Sequence, residues 1–451
     1  MHLTHADKSR LTGSVTVVRE PNRPDVAAQS DPKVIATVSE MLSAIEARGL
    51  DAVRDYAERL DGWTGGTAFE ITPAEAEKLT ADLPGGLREA LDAGAERTHR
   101  FATMQRARLT DFEEEVIPGV ICGQKYVPVN TVGAYLPAGR FPLLASPFMT
   151  VGVARAAGVP NILSCTPPSN NGKVHPAVLY SARVSGAERI FALGGVQALA
   201  AMAFGLLDTK PADMIVGAGN AFVAEAKRQL YGTVGIDVLA GPSEVAVIAD
   251  ETASAAMVAA DLLAQAEHGP TSPACLVTTS ARLAAEVEQE IERQLAGLAT
   301  REIAGAAWRD WGSIYVADSP ATAIEVMDTL APEHLEILTS DLDYYLANLK
   351  NYGSLFLGEW STVAYADKGM SGTNHVLPTG RGARYTEGLS VARYLKQLTY
   401  QRATRESTEA QAGPVVTIAD FEQMPGHRDS AQLRLDLIHA NKASGLAAAV
   451  R

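Results

Sequence analysis

A mixed α/β protein built on parallel sheets is what this sequence predicts, and three observations carry that expectation. Short β-branched runs alternate with alanine-rich stretches from about residue 131 to 356, the rhythm of parallel strands with helices on both faces. Apolar residues ahead of that region recur at helical spacing. The last 65 residues are mainly helical in pattern.

In chain order, residues 1 to about 30 are polar and contain Pro21 and Pro24, with Pro32 close by; they read as an extended arm. From residue 34 to 60, Ile35, Val38, Leu42, Ile45, Val53, Tyr56 and Leu60 fall on helical faces. Residues 73–115 continue as amphipathic helices, with Pro73 near one start. Strands then follow at 131–136, 161–165, 189–193 and 214–216. Helices follow each of them, through 150–154, 176–184, from 196, and 222–231. A second set of the same kind runs from 245–248 to about 356. The expected domains are 1–130 with 243–385 as a first α/β domain and 131–242 as a second, nucleotide-binding one. Residues 386–451 form a helical C-terminal segment that ends in a polar tail.

Composition excludes several classes. With 53 acidic and 39 basic residues the net charge is −14, which argues against binding a phosphate backbone. The three cysteines, Cys122, Cys165 and Cys275, are far apart and outside any Cys-x-x-Cys pattern. A disulfide framework is not expected, and a reducing, cytoplasmic compartment fits. The first residues lack the apolar run of a secretory signal. The longest uncharged run, 190–207, contains Gly194, Gly195, Gln197 and Gly205. It is expected to be a strand, a glycine turn and a helix, not a membrane span.

Five polar clusters stand out near the C-terminal half. They are Asp261-Leu262-Leu263-Ala264-Gln265-Ala266-Glu267-His268, Ala331-Pro332-Glu333-His334-Leu335-Glu336, Asp367, Ser371-Gly372-Thr373-Asn374-His375, and Glu422 with Gly426-His427. They hold four of the nine histidines. Gln265 and His268, three apart, share a helix face. Pro332 sits where a helix would begin, with Glu333 and His334 in its first turn. A histidine beside a carboxylate suits proton transfer near neutral pH. Nitrogen and oxygen donors without thiolate suit zinc and also manganese. Taken singly, each has a plainer reading as a helix-end or solvated residue. Gly217-Ala218-Gly219-Asn220-Ala221-Phe222 follows a strand and precedes a helix. It is half of a Gly-x-Gly-x-x-Gly fingerprint, the third glycine being replaced by Phe222.

The clusters, with Gly241-Pro242-Ser243-Glu244-Val245 and Asn374-His375-Val376-Leu377-Pro378-Thr379, resemble the histidinol dehydrogenase family in order and spacing over residues 35 to 435. The resemblance implies two Rossmann-like parallel-sheet domains and a homodimer joined by the C-terminal segment. It implies a zinc- and NAD-dependent enzyme that oxidises a primary alcohol through a bound aldehyde to a carboxylate. It places zinc on Gln265, His268, Asp367 and His427, the last supplied by the neighbouring subunit. It gives NAD to Tyr135, Gln197 and Asn220, the chemistry to Glu333 and His334, and the substrate pocket to Ser243, His375 and Glu422. None of the three cysteines falls in a matched motif, so a thiolate nucleophile is not expected.

Three features depart from the family pattern. Pro137-Ala138-Gly139 and Gly217-Ala218-Gly219-Asn220 stand where Pro-Gly-Gly and Gly-Pro-Gly-Asn are usual, and Asp367 precedes His375 by eight residues instead of seven. Several stretches resemble the sulfopropanediol dehydrogenase branch more closely: Pro118-Gly119-Val120, Pro128-Val129-Asn130, Pro137-Ala138-Gly139-Arg140, Asp367-Lys368 and Thr399-Tyr400-Gln401-Arg402. Arg140 would suit an anionic substrate, or be a surface or cofactor-facing charge. Ala331-Pro332 and Val376-Leu377-Pro378 look like the histidinol enzymes. The expected substrate is therefore a sulfopropanediol-like diol. L-histidinol and a non-catalytic NAD- or metal-binding role are the alternatives.

Overall fold

The computed structural model describes residues 1–22, 31–64, 68–139, 141–168 and 173–443. Arg140, Pro24 and the tail from 444 therefore lie outside the described residues. The chain divides into two compact units, residues 1–106 with 128–394, and residues 107–127 with 395–451.

Among the described residues fourteen strands occur in chain order: β1 Val15–Arg19, β2 Phe112–Ile117, β3 Val120–Pro128, β4 Thr131–Tyr135, β5 Asn161–Thr166, β6 Arg189–Ala192, β7 Met214–Val216, β8 Gly235–Ile236, β9 Val245–Ala249, β10 Ala274–Thr278, β11 Gly312–Ala317, β12 His334–Leu338, β13 Ser354–Leu357 and β14 Leu395–Ala403. The first unit contains two sheets. One has the order β1-β11-β10-β9-β12-β13 and the other β6-β5-β4-β7-β8. All pairings in both are parallel except β1 with β11.

Burial on both faces explains the apolar strands. In β9, Val245 and Val247 pack with Leu262, Leu276 and Val287. Ala246 and Ile248, one residue out of step, pack with Val277, Met327 and Leu335 on the opposite face. That is the two-residue period of a pleated strand with helices on both sides. In the five-stranded sheet, Leu163 and Ile215 share a core with Leu199, Met202 and Val223 and with Val38 and Ile45 of the helix Pro32–Arg48. Residues 190–207 become β6, a Gly194-Gly195 turn and the helix Gly195–Ala203. No helix among the described residues is long and apolar enough to cross a membrane.

The second unit holds the sheet β14-β3-β2 and the helix pair Arg405–Phe421 and Pro425–Ala443. Every residue of β2, Phe-Glu-Glu-Glu-Val-Ile, is exposed.

Local expectations failed in three places. The N-terminal arm is not simply extended: His5–Lys8 is a short helix, and β1 adds an antiparallel edge to the six-stranded sheet. The helical pattern of 73–115 stops at Arg106, where β2 follows. Pro332 does not open a helix. The preceding helix Pro320–Leu330 ends on Ala331 in the left-handed region (φ 45°), and Glu333 leads directly into β12. Register with β9 and β13 outweighs the proline signal, because His334 to Ile337 are buried and paired on both sides.

Candidate functional site

The five-stranded sheet reverses its winding between β4 and β7, since β5 and β6 extend one side and β8 the other. In parallel sheets ligands bind at the carboxyl ends of the two strands flanking such a point. Here those ends are Tyr135 and Val216. A cavity of about 690 Å3 opens there, lined by residues that include Tyr135, Gln197, Gly219, Asn220, Phe141 and His268. Gly217 turns the chain after β7 with φ 114°, and a Cβ on it would stand 2.1 Å from the Tyr135 carbonyl oxygen. Only glycine fits that approach. Asn220 caps the next helix, Ala221–Leu230, its Oδ1 accepting from the amides of Phe222 and Val223 at 3.0 and 3.1 Å.

Gln197 is buried, and its amide Nε2 donates to Asp61 at 2.9 Å. Among the described residues its Oε1 has no hydrogen-bond partner, an acceptor left open in the wall of a nucleotide-sized cavity. Asp61 also accepts from the amide of Gly194 at 2.8 Å, and burial raises its carboxyl above the usual range. Nothing in the sequence marks Asp61. It is a single acid after the helix Leu50–Leu60, in no motif.

A second cluster lies at the amino ends of β9 and β12. Glu333 Oε2 accepts from Ser243 Oγ at 2.7 Å and from the Glu244 amide at 2.8 Å, and it lies 3.4 Å from His334 Nδ1. Gln265, at the end of the helix Ala255–Ala266, donates through Nε2 to the same Ser243 hydroxyl. His334 Nδ1 is 3.0 Å from the Glu244 carbonyl. Both neighbours of Nδ1 are acceptors, so Nδ1 carries a proton and Nε2 is the ring nitrogen left free of them. Nε2 faces His375 Nδ1 at 3.0 Å, and His375 Nε2 meets Thr373 Oγ1 at 3.3 Å. Thr373 Oγ1 in turn lies 2.9 Å from the exposed Ser371 hydroxyl.

Burial alone would depress His334. The Glu333 carboxylate and the Glu244 carbonyl outweigh it and hold the imidazole at about 9. His375 is pushed the other way, to about 3, by burial and then by His334. Buried Glu244 rises to about 7 through desolvation, with the Glu333 charge adding to that. Burial raises the thiols of Cys165 and Cys275 well above the ordinary value, so neither is a thiolate near neutrality.

The expected metal donors divide between the units. His268 lies just past the helix end and opens to the cavity; desolvation lowers its imidazole while nearby Asp367 pulls upward. Asp367 ends the helix Val363–Asp367, bonds Lys368 Nζ at 2.5 Å, and senses His268 and His375. Glu422 closes the helix Arg405–Phe421, and His427 stands in the first turn of Pro425–Ala443; both are exposed in the second unit. Among the described residues no group of three or more His, Cys, Asp or Glu is gathered closely enough to hold a metal. Gln265, His268 and Asp367 thus fit zinc in donor chemistry and fall short of it in number.

A switch-point crevice on one parallel sheet and a buried Glu–His pair at the amino ends of inner strands of another mark an α/β protein with a nucleotide-sized crevice and an acid/base pair. The chain belongs to the histidinol dehydrogenase family, whose profile, "Histidinol dehydrogenase", matches residues 25–435. A histidinol dehydrogenase homolog of Shouchella clausii is 46% identical over 90% of this chain and 95% of its own. The sulfopropanediol 3-dehydrogenase of Ruegeria pomeroyi is 46% identical over 88% and 92%. The crystal structure of histidinol dehydrogenase from Elizabethkingia anophelis superposes with a TM-score of 0.85 at 33% identity, covering 93% of this chain and 95% of that one. Members of the family are NAD-dependent dehydrogenases that carry an alcohol through an aldehyde.

Proposed function

We propose that this chain oxidises a small polar primary alcohol to its carboxylate with two equivalents of NAD. The buried Glu333–His334 pair, near a nucleotide-sized crevice, carries that reading. His334 Nε2 takes the alcohol proton as hydride leaves for the cofactor, and Glu333 fixes the imidazole through Nδ1. The aldehyde stays bound, and Glu333 draws a proton from the water that attacks it. Ser243, His375 and Glu422 shape the substrate pocket. Tyr135, Gln197 and Asn220 form the wall for NAD.

Gln265, His268 and Asp367 would hold a zinc ion, with His427 of a second copy completing the set in a homodimer. When bound, that ion supplies a fixed point of attachment for substrate heteroatoms. The protein is expected to work in the cytoplasm.

The substrate we infer is an anionic, sulfopropanediol-like diol. Support comes from the relative of that activity at 46% identity. Arg140 adds to it as a cation in the stretch Pro137-Ala138-Gly139-Arg140 that resembles that branch. The test is NADH formation with sulfopropanediol, glycerol, L-histidinol and other amino alcohols. The sulfonated diol should give the highest kcat/KM, and Arg140→Ala should weaken it selectively. A clear preference for L-histidinol would overturn the substrate assignment. No turnover with any alcohol, alongside bound NADH, would favour a non-catalytic member.

A further inference from the structure

We propose that Lys227 and Asp237 are positioning residues for the cofactor: their buried ion pair holds the Gly217 turn in its binding shape. The inference rests on the dinucleotide reading of the switch-point crevice.

Lys227 lies on the helix Ala221–Leu230 that follows the turn, and Asp237 follows the edge strand β8. Both are almost fully buried, at 2% and 0% exposure. Charges so placed are retained only when their hydrogen-bonding capacity is filled. Here it is filled by the turn itself. Lys227 Nζ contacts Asp237 Oδ1 and donates to the carbonyls of Gly217 at 3.1 Å and Val238 at 2.8 Å. That uses all three ammonium protons. Asp237 Oδ2 accepts from the Gly217 amide at 2.7 Å, and Oδ1 accepts from the Val238 amide at 2.7 Å.

The pair therefore grips Gly217 by both its N–H and its C=O. Those are the groups whose direction sets the path of Gly217-Ala218-Gly219-Asn220 along the cavity. It also grips Val238, five residues before Ser243, so the cofactor turn and the strand entry bearing Ser243 share one anchor. Arg393 secures the same point, donating to the Asp237 carbonyl at 2.9 Å. A glycine at φ 114° has wide conformational freedom by itself. The ion pair removes that freedom before the cofactor arrives, and preorganisation of this kind acts on affinity.

The test uses the full-length protein and the double variant Lys227→Met/Asp237→Asn, which leaves no unpaired buried charge. NADH affinity is read by fluorescence titration and compared with the KM for NAD, kcat and the KM for the alcohol. NADH Kd and KM for NAD should rise by about tenfold, the scale on which outer-shell partners act. The values of kcat and alcohol KM should stay within about threefold. A lower melting temperature with unchanged NADH affinity would mean a structural role only and overturns the proposal. Wild-type protein that binds no NADH overturns the dinucleotide reading, and this inference with it. Hydrogen exchange on wild type gives a reading that does not depend on the variant folding. The Gly217 and Val238 amides should be protected without NADH. Fast exchange there, with protection only on NADH binding, overturns the proposal equally.

Discussion

With His334 held at about 9, the proposed base is mostly protonated at neutral pH. At pH 7 the neutral fraction is about one in a hundred, since each pH unit below the pKa costs tenfold. The first hydride transfer should therefore accelerate about tenfold per unit from pH 7 and level off near pH 9. Glu333→Gln removes the carboxylate that raises His334 and leaves burial as the dominant influence, so the inflection should fall below 6.5. Its first step should then be flat from pH 7 to 10. Above pH 9, where the imidazole is neutral in both proteins, the two bursts should match, while Glu333→Gln turns over slowly afterwards. Loss of the acid/base group at the hydration step should cost ~10²–10⁴-fold. Rapid mixing with a competent alcohol and excess NAD reads both phases through NADH absorbance. His334→Asn should slow the burst at every pH. A raised pKa also fixes the sign for stability. The protonated imidazole contributes fully below pH 6.5, and that contribution is lost as pH rises through about 9. A flat wild-type profile, or a Glu333→Gln inflection still near 9, would refute the reasoning.

About one divalent metal per chain should survive purification, and His268→Ala or His427→Ala should each lower its retention strongly on dialysis against a chelator; both variants keeping metal and rate would discard the ligand set. Mixing inactive His427→Ala chains with inactive His334→Ala chains should restore part of the activity, because a mixed dimer holds one intact site; no recovery after verified subunit exchange means each chain supplies its own His427. Gly217→Ala should abolish NADH binding in fluorescence titration, since its Cβ would meet the Tyr135 carbonyl oxygen at 2.1 Å; near-normal affinity would remove this turn from the cofactor site.

The alternation of strands and helices was legible because parallel strands buried on both faces leave continuous apolar runs, as in Val245–Ala249. Strands without a buried face left no such mark. The residues of β2 are all exposed, and β14 is buried only at Leu395, so their charged sequences resemble helix surface. The Pro332 signal misled because a residue in the left-handed conformation at Ala331 ended the helix before it. At the site, Glu333, His334, Ser243, Gln265 and His375 were marked by motif, and hydrogen bonds together with the Glu333–His334 contact join them. Their linkage was not visible, because His375 reaches His334 from 41 residues away. Asp61, Lys227 and Asp237 escaped for the same reason. Their chemistry lies in which backbone groups they hold, and a sequence does not display that.

Oxidation of an alcohol through a retained aldehyde to a carboxylate has a fixed stoichiometry. The decisive measurement is NADH formed per alcohol consumed under limiting substrate, with the product identified by mass spectrometry. Two NADH per alcohol and a carboxylate, with no aldehyde trapped by semicarbazide, is the predicted result. One NADH per alcohol with free aldehyde in solution would contradict the account.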